Sequence, residues 1–472
     1  MKDVDSDTIA AISTPLGEGG IGIVRLSGKE AFNIVKKIFK TKNVEIRSHK
    51  LVYGKITDPR KEKIIDEVLV SFMSAPYTYT REDVVEINCH GGIIPLKKIL
   101  ELCLKEGARM AERGEFTQRA FLNGRIDLTR AEAVMDIVRA KTDEAREIAV
   151  SQVEGNLYQR IKGLREKIVS LLALVEVNLD FPEEKIEEVT VNNVKSNIEK
   201  MVKEIEEILE TADDGIIFRE GLKTAIIGKP NVGKSSLLNA LLKEKRAIVT
   251  EIPGTTRDVL EEFINIRGVP LRVMDTAGIR KTKDVVEKIG VERAENAVRE
   301  SQLVLLVVDA KEGIEEEDKA IMGMLKNKNN IIIIVNKIDL VDKGRLHEMQ
   351  EEIKIIIQKL LQKVADQIPV IKSSFIYGRG IKELEEKIIS QVFRGDITPA
   401  ESILINNSRQ KDSLEKTRAR LKEALQGIEA DIPLDLITID LRRGWEALGE
   451  ITGENLGEGI LNKIFSEFCI GK

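Results

Sequence analysis

Apolar positions change rhythm along the chain. Up to about residue 120 short alternating runs mix with helical ones. Residues 8–13 and 22–26 read as strands around the Gly-rich turn 17–20, residues 68–72 and 84–88 as further strands, and 94–104 as a helix. From about 121 to 215 the spacing is helical. Val194, Ile198, Met201, Ile205 and Ile208 recur with Lys and Glu between them, one apolar stripe on a solvated helix. From Leu222 apolar strands alternate with helices: 224–227, 271–274, 303–309, 331–336 and 369–372. That alternation predicts a mostly parallel sheet covered by helices. Beyond about 394 the pattern is helical again, over 408–427 and 437–468.

The economical arrangement is multidomain, part α/β and part all-α. An N-terminal α+β domain covers 1–120, a helical domain begins over 121–217, an α/β domain is inserted at 218–394, and the helical domain resumes at 395–472. No internal repeat or low-complexity tract interrupts it.

Composition narrows the class. The chain has 472 residues, 42% hydrophobic and 32% charged, a folded composition rather than a disordered or membrane one. The net charge of -5 excludes a wholly basic nucleic-acid coat and leaves room for a local basic patch. Cys89, Cys103 and Cys469 are too few for a disulfide framework and point to a reducing compartment. The histidines lie far apart, against a zinc cluster. The N-terminus lacks the pattern of a signal peptide, and the apolar runs 303–308 and 331–335 are too short to span a bilayer. A cytoplasmic protein with no membrane span is expected.

The chemistry concentrates in the inserted segment. Gly228-Lys229-Pro230-Asn231-Val232-Gly233-Lys234-Ser235 fits the P-loop pattern, follows an apolar strand and opens a helix at Ser236. The glycines let backbone N–H groups curl round a phosphate, and the helix N-terminus favours the anion. Lys234 suits the outer phosphates and Ser235 suits Mg²⁺. Asp275-Thr276-Ala277-Gly278 ends a strand, as a magnesium aspartate and γ-phosphate sensor should. Asn336-Lys337-Ile338-Asp339 ends another, where a carboxylate accepts two hydrogen bonds from guanine that adenine cannot offer. Between them Gly254-Thr255-Thr256 reads as a switch loop in which Thr256 reaches Mg²⁺ only while a γ-phosphate is present. The three elements in order predict GTP.

At these residues the chain resembles the TrmE-Era-EngA-Septin-like GTPases, and within them the MnmE (TrmE) family of tRNA modification GTPases. The resemblance covers the whole chain. Its pieces are residues 8–28 (TIAAISTPLGEGGIGIVRLSG), 77–92 (YTYTREDVVEINCHGG), 108–133 (ARMAERGEFTQRAFLNGRIDLTRAEA), 250–258 (TEIPGTTRD) and 468–472 (FCIGK). It implies an N-terminal tetrahydrofolate-binding and dimerisation domain, a helical domain and an inserted P-loop GTPase domain. It also implies a homodimer, and a heterotetramer with the flavoprotein MnmG. Together they would install an aminomethyl or carboxymethylaminomethyl group at C5 of the wobble uridine of certain tRNAs. The one-carbon unit would come from 5,10-methylene- or 5-formyl-tetrahydrofolate.

The same resemblance assigns residues. In Ras-like proteins a Gln after the D-x-x-G element orients water; Ile279 stands there. The resemblance supplies Glu287 to orient the water and Arg257 as a switch arginine, with a salt bridge to a nearby acid the other reading of Arg257. A potassium ion would be held by Asn231 with Thr250, Ile252 and Thr255, in a loop (Thr250, Glu251, Ile252, Pro253, Gly254, Thr255) that also borders GTP. The cation would supply charge that an arginine finger gives elsewhere, worth roughly 10³–10⁵ in rate, when two GTPase domains meet. The expected Ser-Ala-Lys of the base loop is Ser374-Phe375-Ile376 here. Arg25, Glu82, Arg125 and Lys472 match positions that contact folate.

Other features stay open. Cys469 reads as a transfer thiol on a mobile tail beside Lys472, or as a small buried hydrophobe. His90 reads as a structural histidine or as an acid–base group. The run Arg109, Arg113, Arg119, Arg125 and Arg130 reads as a solvated face or as an RNA contact. A ribosome-assembly GTPase of the Era or Der kind is the alternative function. A single GTPase segment and a helical C-terminal flank speak against it.

Overall fold

The computed structural model describes residues 7–42, 45–180, 191–245, 262–274, 295–362, 367–393 and 402–472. Strand alternation builds the first part. Strands β1 (Ile9–Ile12), β2 (Gly19–Ser27), β3 (Phe39–Lys40), β4 (Lys50–Asp58), β5 (Lys63–Met73), β6 (Val84–Gly91) and β7 (Arg109–Met110) form one sheet in the order β3-β4-β5-β6-β2-β1-β7. Val24, Leu26, Val85 and Ile87 share a core with Ile34, Val35, Leu96 and Ile99 of the helices Ala31–Ile38 and Ile93–Lys105. Arg25 and Glu86, paired across β2 and β6, therefore point to the opposite face. Strand β4 goes beyond what the apolar pattern predicts. Val52, Gly54 and Ile56 mark its inward face, a signal too sparse to stand out.

Four long helices, Asn156–Asp180, Val191–Glu210, Ser408–Glu429 and Leu434–Thr452, share one core that includes Ile161, Ile168, Ile198, Ile205, Leu421 and Leu448. The expected stripe on Val191–Glu210 is its buried face. The single helix expected over 437–468 is two. Gly453 caps Leu434–Thr452 in the left-handed region at φ 92, and Glu458–Ser466 begins afresh.

Between the two halves of this bundle lies a second sheet. Its strands are β8 (Leu222–Ile227), β9 (Glu262–Ile266), β10 (Val269–Val273), β11 (Leu303–Asp309), β12 (Ile331–Asn336) and β13 (Val370–Lys372), in the order β13-β12-β11-β8-β10-β9. All pairs are parallel except β9 with β10. Strand β11 is buried along its whole length, as a central parallel strand should be.

The helix Ala212–Glu220 runs directly into β8 and ties the second sheet to the helix Leu128–Arg139. Arg219 donates to Asp136 at 2.7 Å, and Asn406 donates to the other Asp136 oxygen at 3.2 Å. Burial pushes the Asp136 carboxyl above its ordinary range, and Arg219 opposes that shift. Among the described residues no helix is long and apolar enough to cross a membrane.

Candidate functional site

The parallel strands of the second sheet end at one edge, and the motif residues gather there. The P-loop leaves β8 at Gly228 and enters the helix Lys234–Lys245. Gly228 lies at φ +142 and Gly233 at φ +108. A Cβ at Gly233 would stand 2.1 Å from Asn336 Nδ2, and one at Gly228 would stand 2.2 Å from the Val307 carbonyl. The loop is therefore packed against β11 and the end of β12 with no space for a side chain. Asn336 Nδ2 donates to Val232 O at 2.9 Å, fastening the guanine motif to the phosphate loop. Gly233→Ala is expected to abolish nucleotide binding while the circular dichroism spectrum stays native. Retained GTP affinity in a filter-binding assay would contradict this packing.

Lys234 Nζ donates to the carbonyls of Gly228 and Lys229 at 2.6 and 2.5 Å, and burial holds its ammonium below the usual lysine range. A phosphate brought to this loop meets a cation already centred in it. Lys229, with a side chain 5% exposed, points away to Glu315 (2.8 Å) and Asp318 (3.0 Å). Burial works against its charge, but these carboxylates outweigh it and raise the Lys229 ammonium above its ordinary range. Sequence reasoning passed over Lys229; the nearer of the two acids that hold it, Glu315, lies 86 residues further on.

On the base side, Lys337 sits in the left-handed region at φ 64 and its ammonium meets buried Asp309 at 2.5 Å. Ser374 Oγ donates to Asp339 Oδ1 at 2.5 Å. Asp339 is exposed, so its remaining acceptor positions face solvent, where a base would dock. Phe375 N–H lies 3.4 Å from Asn336 Oδ1, and Ile376 is 79% exposed beside it. The Ser374-Phe375-Ile376 loop thus orients both Asn336 and Asp339.

Among the described residues, Ser235 and Asn231 suit the expected cations. Ser235 opens the helix with a hydroxyl, a hard oxygen ligand suited to Mg²⁺. Asn231 is exposed on the P-loop at φ 61, with an amide oxygen suited to K⁺. Ser236 follows on the first turn. Thr250, Glu251, Ile252, Pro253, Gly254, Thr255, Thr256, Arg257, Asp275, Thr276, Ala277, Gly278, Ile279 and Glu287 lie outside the described residues.

A second site lies on the first sheet. A cavity of about 280 Å³ is lined by Arg25, Met73, Tyr79, Val84, Glu86, Val134 and Lys472. That volume is near the low end of ligand pockets, about 300–1,000 Å³. Arg25 bridges Glu86 (2.8 Å) and the Gly471 carbonyl (3.1 Å). Arg125 stacks over Tyr79 at 4.7 Å and so supports the wall rather than lining it. Burial, with Arg25 nearby, holds the Lys472 ammonium below its usual range. The donor set of a carboxylate, two cations and an aromatic wall fits a folate.

Glu82 is not in this cavity. It accepts from Ser27 at 2.6 Å and from Arg119 at 3.2 Å. The carboxylate the sheet brings beside Arg25 is Glu86, which the sequence reading missed. The signal was available, since an antiparallel register that pairs β2 with β6 places Glu86 opposite Arg25.

The C-terminal tail is docked rather than loose. Gly471 lies at φ +88 with the site of a Cβ 2.5 Å from the Ile12 carbonyl. Ser13 donates to Gly471 O at 3.2 Å, and Gly114 donates to Cys469 O at 3.3 Å. Phe468 anchors the tail in the core while the Cys469 thiol is exposed, which removes the buried-hydrophobe alternative. Burial pushes the Cys89 and Cys103 thiols up to about 11 and about 12, so neither is a nucleophile at neutral pH.

The arginine run is neither one solvated face nor one RNA surface. Arg119 is 1% exposed and binds Asp7, Glu82 and Glu115. Arg109 joins the same cluster through Asp7 and Glu115, and Arg130 pairs with Asp127 over the Tyr158 ring. The Arg113 backbone forms an isolated antiparallel β-bridge with Ile470 of the tail. His90 is exposed on β6, and its Nδ1 lies 2.7 Å from Asp66.

A parallel sheet with a P-loop after one strand and the Asn336–Asp339 motif after another defines a P-loop GTPase. The model of the MnmE helical domain matches residues 128–469, and that of the GTP-binding protein TrmE N-terminus matches 8–125. Proteins named tRNA modification GTPase MnmE from Acetivibrio thermocellus and Bacillus licheniformis are each 50% identical to it. The first aligns over 99% of both chains and the second over 99% of this chain and 100% of its own. The counterpart from Alkaliphilus oremlandii is 49% identical over 99% of both. The chain belongs to the MnmE family of tRNA modification GTPases.

Proposed function

We propose that this chain is a potassium-dependent GTPase that works with the flavoprotein MnmG to install an aminomethyl or carboxymethylaminomethyl group at C5 of the wobble uridine of certain tRNAs. The one-carbon unit comes from 5,10-methylene- or 5-formyl-tetrahydrofolate. The observation that carries the reading is the presence, in one chain, of the assembled Lys234–Asn336–Asp339 edge and the Arg25–Glu86–Lys472 cavity.

At the first site the P-loop amides and Lys234 hold the phosphates, and Asp339, steadied by Ser374, selects guanine. Ser235 and Thr256 would hold Mg²⁺, and Asn231 with Thr250, Ile252 and Thr255 would hold K⁺. These ions supply positive charge against the charge that develops as the terminal phosphate leaves. Glu287 would orient the attacking water by accepting a hydrogen bond from it, and Arg257 would serve as the switch arginine. At the second site Glu86, Arg25 and Lys472 bind the folate, with Arg125 behind Tyr79. Cys469 is the transfer-thiol candidate, since its tail is held at the cavity mouth.

A homodimer through the first domain is supported by an apolar strip on its sheet, where Leu51, Tyr53 and Leu69 are 61%, 59% and 42% exposed. The closing of two GTPase domains would complete the potassium site, and MnmG would join this dimer in a heterotetramer. Cytoplasm is the compartment in which such tRNA chemistry takes place.

Potassium is expected to raise the hydrolysis rate steeply and sodium to leave it near basal. Equal rates of phosphate release in the two chlorides would overturn the Asn231 assignment.

A further inference from the structure

The helices behind the first sheet carry an unusual surface. Ala31–Ile38 buries Ala31, Ile34, Val35 and Ile38 and leaves Lys36 and Lys37 exposed, with Lys40 just past its end. Ile93–Lys105 buries Leu96, Ile99, Leu100, Leu102 and Cys103 and leaves Lys97, Lys98 and Lys105 exposed. Residues 31–40 contain no acid, and residues 93–106 contain only Glu101 and Glu106. The two helices are neighbours, since Lys37 reaches Glu106 at 3.5 Å. Both acids are therefore engaged. Lys98 holds Glu101 at 2.9 Å and draws its carboxyl below the ordinary range, with Lys105 and Lys97 adding to that field.

Among the described residues Lys36, Lys40, Lys97 and Lys105 form no ion pair. Other lysine-bearing helices set an acid one turn from the cation, as Glu316 for Lys319 and Glu351 for Lys354; Lys36, Lys40, Lys97 and Lys105 have none in contact. A cluster of uncompensated cations on a chain of net charge -5 runs against the sign of the whole molecule. Close lysines repel, and an anionic partner removes that repulsion.

We propose that this lysine face grips the phosphate backbone of tRNA, at a stem away from the base being modified. Lys97 to Lys105 spans about 12 Å of helix, enough to meet more than one phosphate. Val24 and Leu26 face these helices whereas Arg25 faces the cavity, so the lysines lie across the sheet from the one-carbon site and serve affinity rather than base recognition. A bilayer is the poorer fit. Both helices spend their apolar sides on the core, and the exposed Ile93 and Ile94 sit at the far end from Lys105, whereas an interfacial helix turns an apolar face outward.

This inference rests on the tRNA reading above, and the test separates the two. A Lys36→Gln, Lys40→Gln, Lys97→Gln, Lys105→Gln variant is compared with the full-length wild type for binding of unmodified tRNA across a salt series. The dissociation constant should rise at least tenfold. The slope of log affinity against log salt should fall by roughly three to four, near 0.9 per lost contact. GTP hydrolysis and melting temperature should not change, and the Lys→Arg version should bind like wild type. Wild type that binds tRNA with an unaltered slope in the Gln variant overturns the lysine face and leaves the function standing. Wild type that fails to bind tRNA overturns both. Lysine-dependent binding to phosphatidylserine–phosphatidylcholine vesicles with unaltered tRNA affinity assigns the face to a membrane and overturns it.

Discussion

Asp339→Asn is expected to weaken GTP binding roughly 10²–10⁴-fold, the loss of two charge-assisted hydrogen bonds at about 1.5–3 kcal/mol each. Guanine presents two donors, N1–H and the N2 amine, to a carboxylate that offers only acceptors. Ser374 already donates to one Asp339 oxygen at 2.5 Å and fixes how the carboxylate is turned. An amide in its place sets a donor against a donor. Xanthine carries a carbonyl oxygen where guanine has its amine, so xanthosine triphosphate should bind and be hydrolysed by the variant. Ser374→Ala should weaken GTP less, because it frees the carboxylate without removing it. Competition against a fluorescent guanine nucleotide measures all three. An Asn variant that still prefers GTP would show that the base is read elsewhere.

Arg119→Met is expected to destabilise the first domain by about 3–5 kcal/mol, the range for breaking a buried ion pair from one side. Arg119 is 1% exposed and holds Asp7 at 2.6 Å, Glu115 at 3.1 Å and Glu82 at 3.2 Å. Without it three acids from different segments crowd together, with only Arg109 left to two of them. The pH dependence has a definite sign. Burial alone would raise the carboxyls of Asp7 and Glu115, but hydrogen bonds from Arg109 and Arg119 outweigh it and hold both below their ordinary values. Depressed carboxyls give stability that is present above the unfolded range, about pH 4, and is lost as pH falls through the lowered folded values. The gap between wild type and variant should therefore be full at neutral pH and close on acidification. Arg119→Lys should fall between them, since it keeps the charge and loses the fork. Thermal melts at several pH values measure this. A variant that melts with wild type at neutral pH would show that the cluster is dispensable.

Local grammar carried the nucleotide site into view from sequence. The P-loop is contiguous, its glycines are required where the backbone approaches Asn336 and Val307, and a strand end followed by Asn-x-x-Asp is a short-range signal. The helical stripe of residues 194–208 was equally readable, because burial repeats with the helix. Contacts between distant segments were not. Arg119 looks like any arginine in a charged run until Asp7, over a hundred residues upstream, arrives beside it. The carboxylates Glu82 and Glu86 lie only four residues apart, but strand register sets Glu86 beside Arg25 while Glu82, in the bend before β6, joins the arginine cluster. The docking of Cys469 depends on Gly471 meeting the Ile12 carbonyl from the other end of the chain, which no local pattern announces.

The most direct measurement follows a labelled carbon. Unmodified tRNA is incubated with this chain, the proposed flavoprotein partner MnmG, isotopically labelled methylene-tetrahydrofolate, an amine source and GTP in potassium chloride, and the nucleosides are then analysed by mass spectrometry. The label should appear at C5 of the wobble uridine, with GTP and not with GDP, and it should vanish with Lys234→Ala. Brisk GTP hydrolysis under these conditions with no label in the tRNA would contradict the account.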